Sequence, residues 1–461
     1  MLEYLKDKRV LLLGWAATNR AFYTRLRHAH PSMPIGIADQ NEALDVPEDS
    51  HVTTYLVPSY LDKLEDWDVI VRTPGIPYSD QLKAVKERVT TATNLFFHEV
   101  RASSKARFVG ITGTKGKSTT STLIHELLKA AGYDTMLLGN INIQDWDLID
   151  TVTDDSWIVY ELSSYMLQDF SERPDIAVLT TIFPDHLDWH EDYGDYVHAK
   201  ARITTQQTQD DLLIFNAISE ESVHIMSHSE AFRLPYKMMN GLHVDTKWFY
   251  SDNKELFPSD IVPLPGRHNK DNVLAMMAVA KALEIDWKTV EGVIKAFKGL
   301  PHRLEHIGTY KDIAFYDDAL STTPDSTVAA IQAFPNLGSV ILGGLDRGYD
   351  FSDLAQELTE RKVPAVVLFP GARKTIEDVL STAGYAGHVE HAENMEEAVA
   401  ACYKRTPKDH VCLLSTATPS FDLFKNYEDQ GSQFRMQVQE QSYMRPSGSL
   451  LCLFLSSLID S

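Results

Sequence analysis

The sequence has few cysteines: Cys402, Cys412 and Cys452 are the only ones among 461 residues. Their spacing fits neither a zinc site nor an even-numbered disulfide framework, so they suit a reducing compartment. Long apolar runs are also missing, because the apolar stretch 450–459 is too short to cross a bilayer. Charged residues at positions 6–9 interrupt the N-terminus before a secretion signal could form. We therefore expect a cytoplasmic protein without a membrane span.

Positive charge is scarce as well. The chain has 43 Lys and Arg against 65 Asp and Glu, a formal net charge of −22. This balance argues against nucleic acid or an anionic membrane as the main partner, although a local basic pocket can still hold a phosphate. At this length several cores are needed, and we predict three domains. Their predicted bounds are 1–103, 104–299 and 300–443, followed by a tail, 444–461, to which no role is assigned.

One stretch carries the strongest functional signal. Residues 108–111 are an apolar strand, 112–117 form a glycine-punctuated loop, and 118–128 have apolar residues at helical spacing. Such a loop exposes backbone N–H groups to an anion, and the helix N-terminus adds partial positive charge. Lys117 can reach the outer phosphates of a nucleotide, and the Ser118 hydroxyl can ligate Mg²⁺.

The glycine spacing of this loop departs from the common phosphate-loop pattern. Gly116 stands correctly before the lysine and serine, but Gly110 is one residue too far upstream and Gly113 is too close. A glycine-rich turn that binds nothing is the alternative interpretation. The flanking strand and helix favour the phosphate loop.

The N-terminal hundred residues predict a Rossmann-like layout. An apolar strand at 9–14, a helix to about His28 and a strand at 34–38 that ends in Asp39 follow one another. Ala16 and Asn19 stand where a dinucleotide fingerprint would have glycines. On these residues alone, a purely structural β-α-β unit is as well supported as a nucleotide site.

Strands and helices alternate through the rest of the chain. Predicted central strands deliver Asn140, Glu161 and His186 at their carboxyl ends, and a helix around 196–203 holds Lys200. Ligands bind at this edge of open parallel sheets, so we expect these side chains to meet the loop. Each of them by itself could equally be a solvent-facing strand-end acid, a core histidine or an exposed helix lysine.

Strand-and-helix pairs from residue 313 to 415 predict a further parallel sheet. The predicted fold class is therefore α/β, with a Rossmann-like N-terminal domain, a central phosphate-loop domain with a parallel sheet, and a Rossmann-like C-terminal domain.

Several motifs together resemble the Mur ligase family, ATP-dependent amino-acid ligases of peptidoglycan precursor synthesis. They are the loop at 112–119, Glu-Leu-Ser-Ser from residue 161, Asp-His-Leu-Asp from 185, the Gly-Arg-His-Asn segment from 266 and His-Arg-Leu-Glu from 302. The resemblance extends over about residues 8 to 440. It implies ATP and two Mg²⁺ ions as cofactors, a carbamylated Lys200, and a role in cell-wall synthesis and hence in cell shape and division.

The resemblance also assigns roles to residues. The implied catalytic residues are Lys117, Glu161, His186 and Lys200. The implied metal ligands are Ser118, Glu161, His186 and Lys200. The implied ATP contacts are Gly113, Thr114, Lys115, Gly116, Lys117, Ser118, Thr119, Asn272, Arg303 and Asp318. Asn269, in the same motif as Asn272, could simply cap a helix. The implied contacts of a uridine-nucleotide substrate are Thr18, Asp39, Gly75 and Asn140. The implied amino-acid contacts are Thr322, Arg347, Ser420 and Tyr427.

Segments 342–351 and 415–431 are similar to those of the glutamate-adding members of the family. The implied partners are UDP-N-acetylmuramoyl-L-alanine and glutamate, joined through an acyl phosphate by an enzyme expected to be a monomer. D-glutamate is the family default, but Leu320 stands where the family has a lysine, which leaves L-glutamate open. Another Mur-type amide ligase, such as a folate polyglutamate ligase, and an inactive ATP-binding protein are the remaining alternatives.

Overall fold

The structure, a computed structural model, describes residues 2–41, 44–140, 145–187, 189–264, 266–419 and 423–443. The chain forms two compact units. The first comprises Met1–Pro263 and Arg267–Phe297, and the second comprises Leu264–Gly266 and the residues from Lys298 onward. The predicted boundary at residue 103 lies inside the first unit, and the three-domain division stays a prediction.

The first sheet has five parallel strands in the order β3-β2-β1-β4-β5. Its strands are β1 (Val10–Leu13), β2 (Ile35–Asp39), β3 (Val52–Leu56), β4 (Val69–Arg72) and β5 (Val89–Thr90). The helices of this region are α1 (Ala17–Ala29), α2 (Asp80–Ala84) and α3 (Ala92–Ser103). The strand order reverses direction between β1 and β4, which is the topology of a Rossmann-like half.

The second sheet, also in the first unit, has six parallel strands in the order β11-β10-β9-β6-β8-β7. Its strands are β6 (Arg107–Thr112), β7 (Thr135–Gly139), β8 (Trp157–Glu161), β9 (Ile176–Leu179), β10 (Leu212–Asn216) and β11 (Phe232–Tyr236). The helices are α4 (Lys117–Ala130), α5 (Asp145–Leu148), α6 (Ser164–Leu167), α7 (Tyr193–Thr205), α8 (Glu220–Ser227), α9 (Arg267–Ala282) and α10 (Trp287–Ala296). A small antiparallel sheet of β12 (His243–Val244), β13 (Trp248–Ser251) and β14 (Lys254–Pro258) precedes α9.

The second unit holds a sheet in the order β15-β16-β20-β17-β18-β19. Its strands are β15 (Glu305–Tyr310), β16 (Ile313–Asp317), β17 (Leu337–Gly344), β18 (Ala365–Gly371), β19 (His388–His391) and β20 (His410–Leu414). Its helices are α11 (Pro324–Gln332), α12 (Ser352–Glu360), α13 (Arg373–Thr382), α14 (Met395–Arg405) and α15 (Tyr427–Tyr443). Edge strand β15 pairs antiparallel with β16, whereas the other pairings are parallel. Short 3₁₀ turns occur at Glu3–Leu5, Leu64–Asp66, Lys86–Arg88, Ile149–Thr151 and Ser259–Ile261.

Strand interiors and helix starts follow from local sequence. Strands β1 and β8 are buried along their whole length, as expected of apolar runs in parallel sheets. Side-chain caps begin several helices: the Asp192 carboxylate accepts from the Asp195 N–H at α7, and Thr323 caps α11 just before Pro324.

One apolar core extends across the first and second sheets. Phe97 on α3 stacks on Phe108 of β6, with ring centroids 3.9 Å apart, and Phe22 on α1 contacts Trp146 on α5. These rings are fully or almost fully buried in one cluster. Residues before and after position 103 therefore belong to one hydrophobic core.

The predicted α/β class is confirmed, as are the parallel sheets of all three regions. The small antiparallel sheet and the antiparallel edge strand β15 were not predicted from the sequence. Among the described residues, none of the helices has both the length and the apolar character needed to cross a bilayer.

Candidate active site

The loop between β6 and α4 has two glycines that no other residue could replace without strain. Gly113 has φ +152°, and a Cβ there would lie 1.8 Å from Thr180 Oγ1. Gly116 has φ +88°, and a Cβ there would lie 2.3 Å from Asn272 Oδ1. Both positions combine a positive φ with a steric block, so the loop requires the absence of a side chain.

Hydroxyl groups from neighbouring elements hold this loop in place. Thr180, after β9, donates to the Lys115 carbonyl at 2.8 Å, and the Thr114 N–H donates to the Thr181 carbonyl at 2.8 Å. The Thr114 hydroxyl lies 2.7 Å from the Tyr196 hydroxyl of α7. The loop is therefore fixed from both sides before any ligand binds, which limits the cost of ordering it.

Lys117 and Lys200 meet at one carbonyl oxygen. Lys117 Nζ donates to the carbonyls of Gly113 at 3.1 Å and Thr114 at 2.9 Å. Lys200 Nζ, on α7, donates to the same Gly113 carbonyl at 2.8 Å, and the residue is 1% exposed. Burial and then the charge of Lys117 hold the pKa of Lys200 well below its usual value, while Asp185 and Glu161 oppose the shift. Two amines on one oxygen form a site suited to negative charge.

Glu161 lies at the end of β8, where the sheet edge meets this cluster. It is 1% exposed, and its Oε1 accepts from Asn140 Nδ2 at 3.2 Å. Its second oxygen, Oε2, is buried and has no hydrogen-bond partner among the described residues. A buried carboxylate oxygen left without a donor is costly unless a cation fills the place, so the residue fits a hard metal ion such as Mg²⁺.

His186 follows β9 in a left-handed backbone conformation, with φ +55°. Its ring centroid lies 5.0 Å from that of Tyr165 and 6.2 Å from that of Tyr196. Tyr196 in turn lies beneath Lys200, whose Nζ is 4.5 Å from the ring centroid. The histidine therefore borders the cluster, and its strained backbone is of the kind that functional sites retain.

The remaining predicted ATP contacts of the first unit surround the loop. Ser118 and Thr119 belong to the first turn of α4, where free backbone N–H groups are found. Asn272 on α9 is buried, and its amide donates to Asn269 Oδ1 at 3.2 Å. Asn269 is the third residue of α9, and its role as a cap stays a prediction.

The first unit also contains a cavity of about 310 Å³ whose walls come from both of its parallel sheets. Three of the four predicted substrate residues, Thr18, Gly75 and Asn140, line this one space, and the Asn140 amide connects it to Glu161. The other lining residues are Asn19, Arg72, Pro74, Ala92, Thr93, Gly139, Asp145, Tyr160, Ser163, Tyr165 and Met166.

Asp39, the fourth of these residues, has a local partner instead. Its carboxylate accepts from the Trp15 N–H at 2.6 Å and from the Asn41 N–H at 2.8 Å. Asp39 thus links the turn after β1 to the end of β2 by hydrogen bonds. Its contact with the nucleotide stays a prediction. Asn19, which occupies a fingerprint glycine position, donates to the carbonyls of Gly14 at 2.8 Å and Val71 at 3.1 Å.

In the second unit, Asp318 is a buried carboxylate that directly follows β16. It accepts from Ser415 Oγ at 2.8 Å and from the Leu304 N–H at 3.2 Å. Burial raises its pKa to about 6, although hydrogen bonds and the charge of Arg303 oppose the shift. Arg303 itself is exposed.

Next to it, His302, Glu305 and Asp317 offer ligand atoms within 4.8 Å of one another. Hydrogen bonds of His302 to Asp317 and to Glu305 explain why the three side chains lie so close together. The ring of His302 lies 2.7 Å from Asp317, and the backbone N–H of His302 donates to Glu305 at 3.0 Å. Arg435 pairs with Glu305 at 2.6 Å.

The predicted amino-acid contacts occupy separate segments of the second unit. Thr322 precedes the cap of α11, Arg347 is exposed after β17, and Tyr427 begins α15 with its ring centroid 5.9 Å from that of His302. Ser420 lies outside the described residues. Leu320, at the position of the family lysine, is 38% exposed, and its N–H donates to the His302 carbonyl at 3.1 Å.

Several residues of this site were not predicted from the sequence. Thr180 and Tyr196 hold the loop, and Asp145 and Tyr160 form a hydrogen-bonded pair in the cavity wall. Threonine and tyrosine on apolar elements give no motif signal. Their involvement depends on which strand neighbours which.

Comparison with known proteins gives a consistent result. The Mur ligase middle domain matches residues 111–280, and the Mur ligase glutamate ligase domain matches residues 302–417. UDP-N-acetylmuramoylalanine–D-glutamate ligase of Halalkalibacterium halodurans is 33% identical, over 95% of this chain and 98% of its own. The enzyme of the same name from a Geobacillus species is 36% identical, over 80% of this chain and 83% of its own. The one from Clostridioides difficile is 31% identical, over 94% of this chain and 99% of its own.

Solved structures agree on the fold. MurF of Acinetobacter baumannii has a TM-score of 0.59 at 15% identity, with 94% of this chain and 90% of that chain covered. The UDP-N-acetylmuramate–alanine ligase MurC of Thermotoga maritima has a TM-score of 0.56 at 19% identity, with 94% and 100% covered. MurF of Thermotoga maritima, solved in complex with ADP, has a TM-score of 0.54 at 15% identity, with 95% and 96% covered.

Proposed function

The chain belongs to the Mur ligase family of ATP-dependent amide ligases, and we propose that it joins glutamate to the alanine carboxylate of UDP-N-acetylmuramoyl-L-alanine. The curated relatives that cover almost the whole chain are named as glutamate ligases acting on this substrate class. The observation that carries the proposal is the 3.2 Å hydrogen bond from Asn140 to Glu161. It connects the cavity that would hold the sugar nucleotide with the lysine cluster that would hold ATP.

In this proposal each region has its own substrate. Residues 1–103 would bind the uridine nucleotide, 104–299 ATP, and 300–443 glutamate. The solved relative with bound ADP supports nucleotide use. The enzyme would act in the cytoplasm as a monomer.

ATP would bind with its phosphates on the loop between β6 and α4. Backbone N–H groups of the first turn of α4 would donate to the phosphate oxygens, and the adjacent Lys117 would turn from its present carbonyl partners to the outer phosphates. Asn272 lies against Gly116 and would limit where the nucleotide can enter. That Arg303 and Asp318 contact ATP stays a prediction.

The residues around Glu161 fit Mg²⁺, since one carboxylate oxygen is buried without a partner among the described residues. Ser118, Glu161, His186 and Lys200 would hold the ions. When bound, Mg²⁺ would neutralise charge on the phosphates and polarise the one that is transferred.

Lys200 could join this set only after a change of charge. Its lowered pKa favours the neutral amine, which is the form that reacts with CO₂. The resulting carbamate is anionic, so that the residue would become an oxygen ligand, and its repulsion with Lys117 would become attraction. The amine releases one proton in forming the new N–C bond, and that proton leaves to solvent.

The reaction would proceed in two steps. The alanine carboxylate attacks the γ-phosphorus of ATP and displaces ADP, which gives an acyl phosphate. The amine of glutamate then attacks the acyl carbon, loses a proton, and expels inorganic phosphate to form the amide. Lys117, beside the Gly113 carbonyl, would stabilise the negative charge that develops on the transferred phosphate.

D-glutamate is the proposed amino acid, since the relatives carry that name. Leu320 favours a second candidate, L-glutamate. A partly exposed leucine cannot pair with a carboxylate, so the amino acid must be held differently from the lysine-containing members.

The test is a product assay with the purified full chain, ATP, Mg²⁺ and UDP-N-acetylmuramoyl-L-alanine. D-glutamate, L-glutamate and no amino acid are compared by phosphate release and by the mass of the product. We expect amide formation with D-glutamate. Preference for L-glutamate would establish the second candidate, and absence of product with both would refute glutamate ligation and leave another Mur-type amide ligase.

A further inference from the structure

A hydrogen-bonded acid and phenol form part of the cavity wall. The Tyr160 hydroxyl on β8 donates to Asp145 Oδ2 through a short hydrogen bond, and the Trp146 N–H donates to Asp145 Oδ1 at 2.9 Å. Asp145 is 3% exposed and Tyr160 is 1% exposed. Both residues nevertheless line the same cavity as Asn140 and Gly75. The pair therefore borders the space in which we place the sugar nucleotide.

The hydrogen bonds that Asp145 accepts come from neutral donors, and no ion pair among the described residues includes it. Burial raises the pKa of Asp145 to about 6, although Tyr160 and the backbone oppose the shift. A carboxylate can accept about four hydrogen bonds, and the donors found among the described residues leave part of this capacity unused.

The chemistry of the pair restricts what it can bind. The Tyr160 O–H is engaged with Asp145, and Thr93 hydrogen-bonds to Tyr160, so the group offers acceptors to a ligand. A phosphate or carboxylate would be repelled there, whereas a hydroxyl or an amide N–H would be attracted. Arg72, a cation in the same cavity wall, lies on β4 and is paired with Asp169 at 2.6 Å.

We propose that Asp145, positioned by Tyr160, binds a hydroxyl or the amide N–H of the amino sugar in the sugar-nucleotide substrate. This inference rests on the proposed function, and it makes Asp145 a residue that selects the sugar portion rather than the uridine diphosphate. A contact of this kind favours substrates that carry a neutral donor at that point, because a charged anion there would meet a buried acid.

The test compares two ligands on the full-length chain by isothermal titration calorimetry. UDP-N-acetylmuramoyl-L-alanine carries the sugar, and UDP lacks it. The variants are Asp145→Asn and Tyr160→Phe. Asp147→Asn, which changes an exposed acid on the same short helix, is the matched control.

We expect Asp145→Asn to weaken binding of the full sugar nucleotide by roughly ten-fold, the effect of one hydrogen bond to a charged group. Binding of UDP should change by less than about two-fold, a difference well below that of one hydrogen bond. In turnover assays the KM for the sugar nucleotide should rise by the same factor, with kcat and the KM for ATP retained. Tyr160→Phe should give a smaller effect of the same kind, because Asp145 keeps its charge but loses its orientation.

A purely structural role predicts other results. Equal loss of affinity for both ligands, or a lower melting temperature with unchanged affinities, would overturn the inference while leaving the proposed function intact. If the wild-type chain binds UDP but neither binds nor turns over the full sugar nucleotide, the proposed function itself fails, and this inference fails with it.

Discussion

At the scale of residues, the contact with the clearest functional meaning is the pair of lysine amines that share one carbonyl oxygen. Lys117 and Lys200 both donate to the Gly113 carbonyl, at 3.1 Å and 2.8 Å. Burial, and after it the charge of Lys117, lowers the pKa of Lys200. A negative charge beside Lys117 would relieve this repulsion, whether a phosphate or a carbamate on Lys200 supplies it.

Replacement of the first lysine tests this reasoning. We expect Lys117→Ala to lower glutamate-dependent phosphate release by at least about 100-fold, because a positive group beside the transferred phosphate is lost. Lys129→Ala removes an exposed lysine near the end of the same helix and should leave the rate unchanged. Turnover of the Lys117 variant within a few-fold of wild type would show that the loop does not act on ATP.

At the scale of elements, the loop between β6 and α4 is shaped by its neighbours as much as by its own residues. Thr180 and Thr181 after β9 hold its backbone, and Asn272 from α9 closes on Gly116. A loop fixed in this way presents its N–H groups without a large ordering cost on binding.

Gly116→Ala should therefore act through the clash with Asn272 more than through backbone strain. Gly132→Ala, at the other end of α4, is the matched control. Gly132 has φ +85°, but none of the described residues has an atom within 4 Å of the place where a Cβ would lie. Both variants incur the cost of a positive φ, about 1 kcal/mol of stability. We expect only Gly116→Ala to lose ATP affinity, by roughly ten-fold or more, as measured by calorimetry. Equal affinities in the two variants would contradict the role of the Asn272 contact.

At the scale of the whole molecule, the first unit has a core that crosses from one sheet to the next. Phe97 of α3 and Phe108 of β6 stack there, and both are fully buried. The cavity of about 310 Å³ takes its walls from the same two sheets. Packing between the sheets thus determines the shape of the candidate site.

Removal of one ring should affect the stability of the whole first unit. We expect Phe97→Ala to lower the free energy of unfolding by about 3 to 5 kcal/mol, the usual range for a buried phenylalanine. Phe232→Ala removes a ring that is 69% exposed. This control should change the free energy of unfolding by less than about 0.5 kcal/mol. Chemical denaturation, followed with hydrogen exchange in α3 and β6, measures both. A Phe97 variant whose α3 loses protection while β6 keeps it would show that the two sheets unfold separately.

Sequence by itself determined the local order of strand, loop and helix, the family resemblance and the candidates Lys117, Glu161, His186 and Lys200. Motifs and periodicity report such features because they depend on residues close together in the chain. They also predicted the α/β class, which the parallel sheets confirm.

Only the tertiary structure decided which of these residues meet. The order β9-β6-β8 brings Thr180 and Glu161 to either side of the loop, and α7 brings Lys200 to Gly113. The Asp145–Tyr160 pair and the local role of Asp39 likewise depend on contacts between distant segments. Strand order results from packing of the whole core, and no short stretch of sequence carries that information.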